Sequence, residues 1–485
     1  MQTAEKAFLP ILEKLNDYTS DYILVILLLG CGIYFTIRTR FVQVRCFGQC
    51  LRTLGSEGKK RGDGYSHGIS ALQALMLSVG AQIGTGNIIG CSGAILTGGP
   101  GSIFWIWVIA FFGMATAYGE TTLAMHTRVP GDAGEYRGGP VYYIRYAFRG
   151  RFGKILAAVY AVALILAIGF IGCMVQANSI DETMGAAFQI PSWIIGVVLV
   201  VLCGIAFMQR VSGLAKIVSR IIPIMGLVFI LSSLIILIAR IRYVPEAFGM
   251  IFRYAFEPQA IIGGGFWFAI KTVIGQGAKR GLFSNEAGLG TTPHAHAQAN
   301  AKSPHHQGLM AMVSLFIDTF VILTLTGLVI VTTMYAGGGL LAGGAVPEGL
   351  SKTNLAQAAF ATVYGPAAGS ILIAVSLLCF SFSNIITWNM YGKLNVDYLT
   401  GGKRRKLWIT IFIVIALCFI MTGALVSNNI AWEINDLANN VMVFPNVIAL
   451  IALGGLVVRY ASDGERAWKE EKKMLKQAKQ KKAAK

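Results

Sequence analysis

The feature that most limits the fold of this chain is the length of its apolar runs. Stretches such as IIGVVLVVLCGIAF (194–207) and IIPIMGLVFILSSLIILIA (221–239) approach the length that crosses a bilayer, which for a helix is roughly 20 residues. A backbone in hydrocarbon must pair its own N–H and C=O groups, so only helices and closed barrels can span. Barrel strands would read as short alternating segments, and these runs are continuous. The chain is 55% hydrophobic and only 13% charged, against about 25% charged in a soluble domain. It reads as an all-α polytopic membrane protein.

Eleven spans are expected, at roughly 21–38, 69–97, 101–127, 153–177, 191–208, 213–239, 260–300, 307–335, 354–390, 406–426 and 431–460. Three regions follow: an N-terminal interfacial segment (1–20, with Leu9, Leu12 and Leu15 near-aligned), a transmembrane domain (21–460) and a basic tail (461–485). The polar start runs straight into a span with no small-residue cleavage site, so no cleavable signal peptide is expected. Lys and Arg concentrate in loops 38–68, 128–152, 209–220 and 391–406 and in the tail, all on one side if the count is eleven. Loops 178–190 and 427–436 are poor in cations, and only 240–258, with Arg240, Arg242 and Arg253, disagrees. Basic loops stay cytoplasmic, which puts the N-terminus outside and the C-terminus in the cytoplasm of a bacterial-type plasma (inner) membrane. The net charge of +18 is therefore mostly topology, with a tail suited to anionic membrane lipid and no nucleic acid implied. Six of the eight cysteines lie in apolar runs and read as small reduced packing residues. Cys46 and Cys50 have no second pair with which to hold zinc.

Two spans are broken by glycine. GAQIGTGNIIG (Gly80–Gly90) interrupts the second, and Gly263, Gly264, Gly265, Gly275, Gly277, Gly281, Gly288 and Gly290 interrupt the seventh. They lie five spans apart. Five is odd, so spans 2–6 and 7–11 form inverted repeats with the first span extra. Paired interruptions of this kind point to a transport site. N–H groups from about Gly86 onward suit a carboxylate, and unwound carbonyls around Gly80 to Ile83 suit a cation such as sodium. An amino-acid zwitterion with a sodium ion uses both. The competing reading is that the glycines only let helices pack closely.

Three stretches carry a resemblance: GTGNI (Gly84–Ile88), GGPGSIFWIW (Gly98–Trp107) and RGLFSNEAGLGTTPHAHA (Arg280–Ala297). With these the chain resembles the alanine or glycine:cation symporters (sodium:alanine symporters) of the amino acid–polyamine–cation superfamily, which have the leucine-transporter fold. The resemblance implies sodium-coupled import of a small neutral amino acid by alternating access. Alanine or glycine comes first, glutamine or serine next. It implies no enzymatic activity and no cofactor beyond sodium as coupling ion.

By the same resemblance, the carbonyls of Gly80 and Ile83, with Phe380, Ser383 and Asn384, would hold sodium. Gly84 and the N–H groups of Thr85 and Gly86 would receive the substrate carboxylate. Gln82, Gln176 and Asn384 would reach the substrate, and Asn87 would support the break or a second ion. Trp388 would cap the substrate, and a break at Ile274–Gly277, with Ile274 and Gly275, would accept from its ammonium. Asn384 stands where the family usually has Thr, and Thr387 where it has Gly, so both bear on which substrate fits.

Intramembrane charge is functional by default. Asp318 is expected to pair with Lys271 or to help a cation, and Glu120 to be structural. Lys279, Arg280, Asn285 and Glu286 are expected toward the cytoplasmic side, as a gate or a structural network. His294, His296, His305 and His306 fall in a connection with no Cys or clear acidic fourth ligand, which argues against metal, and His126 reads as interfacial. The main alternative is a proton-coupled permease of the same fold, with Asp318 as carrier. A channel would want a symmetric oligomer with a repeated filter loop, and no triad, zinc motif or P-loop suggests an enzyme.

Overall fold

Where the sequence runs apolar the backbone has no water to bond, and the described residues are almost wholly helical. The computed structural model describes residues 10–12, 14–16, 24–57, 68–131, 134–258, 265–426 and 428–483. Most of the interfacial segment 1–20 lies outside the described residues, as do Lys59, Lys60, Arg61, Gly263 and Gly264. Among the described residues the only strands are Val129–Pro130 and Tyr136–Arg137, an antiparallel pair with Val129 opposite Arg137.

In chain order the main helices are α1 (Val25–Arg38), α2 (Ala71–Gln82), α3 (Gly86–Gly98), α4 (Ser102–Thr127), α5 (Gly150–Phe188), α6 (Ser192–Phe207) and α7 (Val211–Ala239). Then come α8 (Phe266–Asn285), α9 (Thr292–Ala297), α10 (Pro304–Tyr335), α11 (Leu355–Tyr364), α12 (Pro366–Thr400), α13 (Arg405–Gly423), α14 (Asn428–Ala452) and α15 (Gly454–Ala483). By length and composition seven of them can cross a membrane, or eight if the bent pair α2–α3 is one span. α1 and α6 are apolar but shorter, at 14 and 16 residues. α8 is 20 residues long and carries Lys271, Lys279 and Arg280.

The sequence explains the helix starts. Ser70 and Gln73 form a reciprocal capping box at the head of α2, each side chain bonding the other's backbone at 3.1 Å, which satisfies two of the orphan N–H groups of a helix start. Ser303 caps α10 by accepting from His306 N, and Pro304 follows at the first turn, where no N–H is needed. α7, α9, α10 and α12 pack around α2, and from Leu77 to Gln82 every residue is buried. α7 and α13 lie outermost, exposing Ile224, Leu227, Leu231, Ile238, Leu407, Trp408 and Val414. Exposed apolar surface on this scale marks contact with lipid or another protein.

The basic loops gather at one end. Arg128 Nη1 donates to the carbonyls of Ala297 and Ala299, Arg137 and Arg405 both pair with Asp397, at 2.9 and 3.1 Å, and Arg45 pairs with Glu465 of α15. Ile69, at the start of α2, bridges Ala299 in the same place.

The seventh expected span breaks later than the sequence suggests. Ile274–Gly277 is uninterrupted helix inside α8, and the break falls at Glu286 (φ 56°), Gly288 (φ 87°) and Gly290 (φ 79°). Two of the earlier glycines serve packing: a Cβ on Gly277 would lie 2.6 Å from Trp105 Cβ and 2.7 Å from Ser102 O, while one on Gly281 would lie 3.4 Å from Ile106 Cα. Ile274 and Gly275 therefore sit roughly 15 Å of helix before the break. Lys279 and Arg280 change place too. They precede the break, on the side of Gly98 and away from the basic loops, while Asn285 and Glu286 stand at the break itself.

Two substitutions test this assignment. A Cβ on Gly275 meets nothing within 4 Å, so Gly275→Ala should hold or raise the Tm in detergent, the helix gaining about 1 kcal/mol over Gly. Gly277→Ala should lower it, because overpacking costs about 1–3 kcal/mol. Equal melting curves would contradict the close α4–α8 contact.

Candidate functional site

The two breaks meet in the core, and side chains from four other helices satisfy the backbone they free. α2 and α3 are bent by 49°, with Ile83 in an extended conformation at the bend. Gly84 N donates to Asn87 Oδ1 at 2.9 Å, so the chain caps its own break. Thr85 N donates to Gln176 Oε1 of α5 at 3.3 Å, and the Thr85 hydroxyl bonds the same oxygen. The carbonyls of Gly80 and Ile83 accept from Asn384 Nδ2 of α12, at 3.0 and 2.8 Å. Gln176 Nε2 donates to Asn384 Oδ1 at 3.1 Å. Gly84 is needed beside them, since a Cβ there would fall 2.7 Å from Asn384 Nδ2.

Gln82 ties one break to the other. Its Nε2 donates to Asn285 O at 3.1 Å and lies 3.2 Å from Thr292 Oγ1. Its Oε1 is buried without a hydrogen-bond partner. The second break is stapled from several directions. Glu120 of α4 accepts from Gly290 N at 3.0 Å and from Asn446 Nδ2 of α14 at 2.6 Å. Asn446 Nδ2 also donates to Gly288 O, and Tyr160 OH of α5 to Leu289 O. Glu286 accepts from Thr291 Oγ1 at 2.6 Å and from Trp388 Nε1 at 2.7 Å, while a Cβ on Gly172 of α5 would lie 2.8 Å from the Trp388 ring.

Asp318 of α10 is fully buried among neutral donors: Asn87 Nδ2 at 2.7 Å, Thr319 Oγ1 at 2.8 Å and Ser284 Oγ at 3.1 Å. The expected pair with Lys271 does not form. Lys271 is exposed, thirteen residues before Ser284 in α8, or about 20 Å of helix. Asp318 instead closes a cradle on α3, α8 and α10.

The other expected positions are less direct. Ser383 lies near Gly80, but its hydroxyl bonds Cys379 O within its own helix. Phe380 is buried against Phe229 and Gly86 against Ser284 and Phe283. Thr387 Oγ1 is buried without a partner. The histidines serve structure: His294 bonds Asn395, His296 bonds Gln307, and His305 bonds Tyr118 and Gln49. Among the described residues no three His, Cys, Asp or Glu groups converge as a metal cluster.

Sequence reasoning missed Ser284 and Thr319 around Asp318, and Ser381, whose Oγ lies 3.4 Å from Thr85 Oγ1. Hydroxyls are common in such helices and carry no spacing signal. It also missed a lid over α3. Trp432 of α14 is buried between the Arg280 guanidinium at 4.7 Å and the Lys352 ammonium at 5.5 Å, with Phe283 at 4.7 Å. Arg280 also pairs with Asp436 at 3.3 Å.

Comparison with known proteins identifies the fold and the family. The crystal structure of MhsT in complex with L-phenylalanine matches with a TM-score of 0.55 at 16% identity, covering 81% of this chain and 89% of that one. The protein is a multi-pass membrane transporter with the leucine-transporter fold. The model of the sodium:alanine symporter family matches residues 5–480, and the chain belongs to that family. The sodium/alanine symporter AgcS of Methanococcus maripaludis is 37% identical, covering 93% of this chain and 96% of its own. Two Bacillus subtilis proteins are each 33% identical: the amino-acid carrier protein AlsT, covering 93% and 92%, and the probable sodium/glutamine symporter GlnT, covering 92% and 89%.

The lid carries a pH prediction. Lys352 lies in the connection before α11, where burial, then the Arg280 charge, lowers its ammonium to about 8. Its charge is lost as pH rises through that value, and with it one cation–π contact. Trp432 emission, isolated as the difference from W432F, should change with a midpoint near pH 8. The change should vanish in K352M, and a flat profile in the native protein would contradict the stacking.

Proposed function

We propose that this chain is a sodium-coupled symporter that imports a small neutral amino acid by alternating access, with alanine or glycine first and glutamine or serine next. The observation that carries this reading is the meeting of two broken helices, joined by Gln82 and flanked by a buried carboxylate. The N–H groups of Thr85 and Gly86, at the head of α3, would take the substrate carboxylate. The second break would take its ammonium through a carbonyl near Asn285, in place of Ile274 and Gly275. Gln82, Gln176 and Trp388 would line the substrate. Asp318, with Ser284 and Thr319, offers oxygens to a hard cation, and Asn87 donates to the carboxylate beside them. The carbonyls of Gly80 and Ile83, with Phe380, Ser383 and Asn384, would form a second cation position. The names of AgcS, a sodium/alanine symporter, AlsT, an amino-acid carrier, and GlnT, a probable sodium/glutamine symporter, support alanine and glutamine within this range.

The finer architecture belongs to the same reading. Eleven spans follow if α1, α6 and α8 cross with the other eight, with spans 2–6 and 7–11 as inverted repeats and the first span extra. The basic end would face the cytoplasm of a bacterial-type plasma membrane, with the N-terminus outside. Residues 1–20 would lie at the interface, and the tail from 461 would rest on anionic lipid. No cofactor other than the coupling ion is called for.

Uptake of labelled alanine, glycine and glutamine into proteoliposomes under sodium, proton or potassium gradients tests the proposal. Accumulation should follow the sodium gradient. Asp318→Asn should raise the sodium needed for half-maximal uptake about tenfold, equivalent to about 1.4 kcal/mol. Accumulation driven equally by protons without sodium would overturn sodium coupling and favour the permease reading, with Asp318 as carrier.

A further inference from the structure

Two neutral amides stand in series between the Thr85 N–H and the carbonyls of Gly80 and Ile83. Thr85 N donates to Gln176 Oε1, Gln176 Nε2 donates to Asn384 Oδ1, and Asn384 Nδ2 donates to both carbonyls. The direction of the series is set at its ends. A backbone N–H only donates, so the atom facing Thr85 N must be the Gln176 oxygen. The Gln176 nitrogen then faces Asn384, which answers with its oxygen. That leaves the Asn384 nitrogen for the two carbonyls, which only accept. All three side chains are at most 1% exposed, so no bulk solvent offers another partner.

In this orientation the Gly80–Ile83 position faces an amide donor, where a cation would need oxygen. Turning both amides over reverses that. Asn384 Oδ1 would then join the two carbonyls as a third oxygen, and Gln176 Nε2 would face Thr85. In this conformation the turn is opposed at the Thr85 end, where the backbone N–H and Gln176 Nε2 would face one another as two donors with only the Thr85 hydroxyl left to accept. A carboxylate at Thr85 removes the obstacle, since it accepts from both.

We propose that Gln176 and Asn384 are a two-amide relay: carboxylate arrival at Thr85 turns both amides and opens the Gly80–Ile83 position to the cation. The inference rests on the symport reading above. It gives the Asn at 384 a purpose, because a Thr there has one hydroxyl and cannot hold both ends of the series. Linkage requires that the cation strengthen carboxylate binding by the same factor.

The test is sodium binding to the purified full chain with and without alanine, alongside sodium-driven alanine uptake. In the native protein, alanine should raise sodium affinity by a factor in the roughly 5- to 150-fold range of such couplings. Asn384→Asp presents oxygen at both ends, so sodium should bind tightly without alanine and the factor should fall toward one. Gln176→Met removes the first amide, frees Asn384 to turn, and should lower the factor in the same way without adding charge. It also covers the case in which Asn384→Asp fails to fold. Native sodium-driven uptake with an unchanged coupling factor in the variants would overturn the relay and leave the symport reading standing. Native uptake indifferent to sodium would overturn both.

Discussion

A backbone group freed inside a membrane has no water to turn to, and the rest of this structure depends on how that demand is met. Helix α2 stops at Gln82 and the chain resumes at Gly86, while α8 stops at Asn285 and resumes at Thr292. An unpaired buried polar group costs about 1–3 kcal/mol, so two breaks would be expensive if left open. Instead Asn87, Gln176 and Asn384 attend to the first, and Glu120, Asn446 and Tyr160 to the second. These partners are drawn from α3, α5, α12, α4 and α14. The fold is in this sense built around its own interruptions.

The two breaks are held differently. At the second, a carboxylate and an amide from separate helices grip the backbone at Gly288 and Gly290, with a tyrosine on the carbonyl between them. At the first, the partners are the neutral side-chain amides of Asn87, Gln176 and Asn384. A ligand that offers the same donors and acceptors can replace such groups without stranding a charge.

Much of the first break was legible in the sequence, and much of the second was not. Gly80, Gly84, Gly86 and Gly90 lie where the helix bends, and the polar residues between them are the ones that meet partners. The seventh span misled because glycine answers two needs that look alike in a sequence. At Gly277 it lets α8 approach α4, while at Gly288 and Gly290 it permits a positive φ. The turn itself begins at Glu286, a residue type that gives no hint of a left-handed conformation. Asp318 was visible as an intramembrane charge. That Asn87 and Ser284 would meet it was not, because the three residues come from different helices. The lid over α3 joins positions 280, 352 and 432 and was hidden for the same reason.

The missing side chain at Gly84 and the amide of Asn384 occupy the same space, with a Cβ falling 2.7 Å from Nδ2. The two positions, three hundred residues apart, limit one another's size. A smaller residue in place of Asn384 would remove that clash at 84. While Asn384 is kept, a side chain at 84 would have to displace its amide. Across relatives, the freedom to vary at one position should be read from the size of the residue at the other.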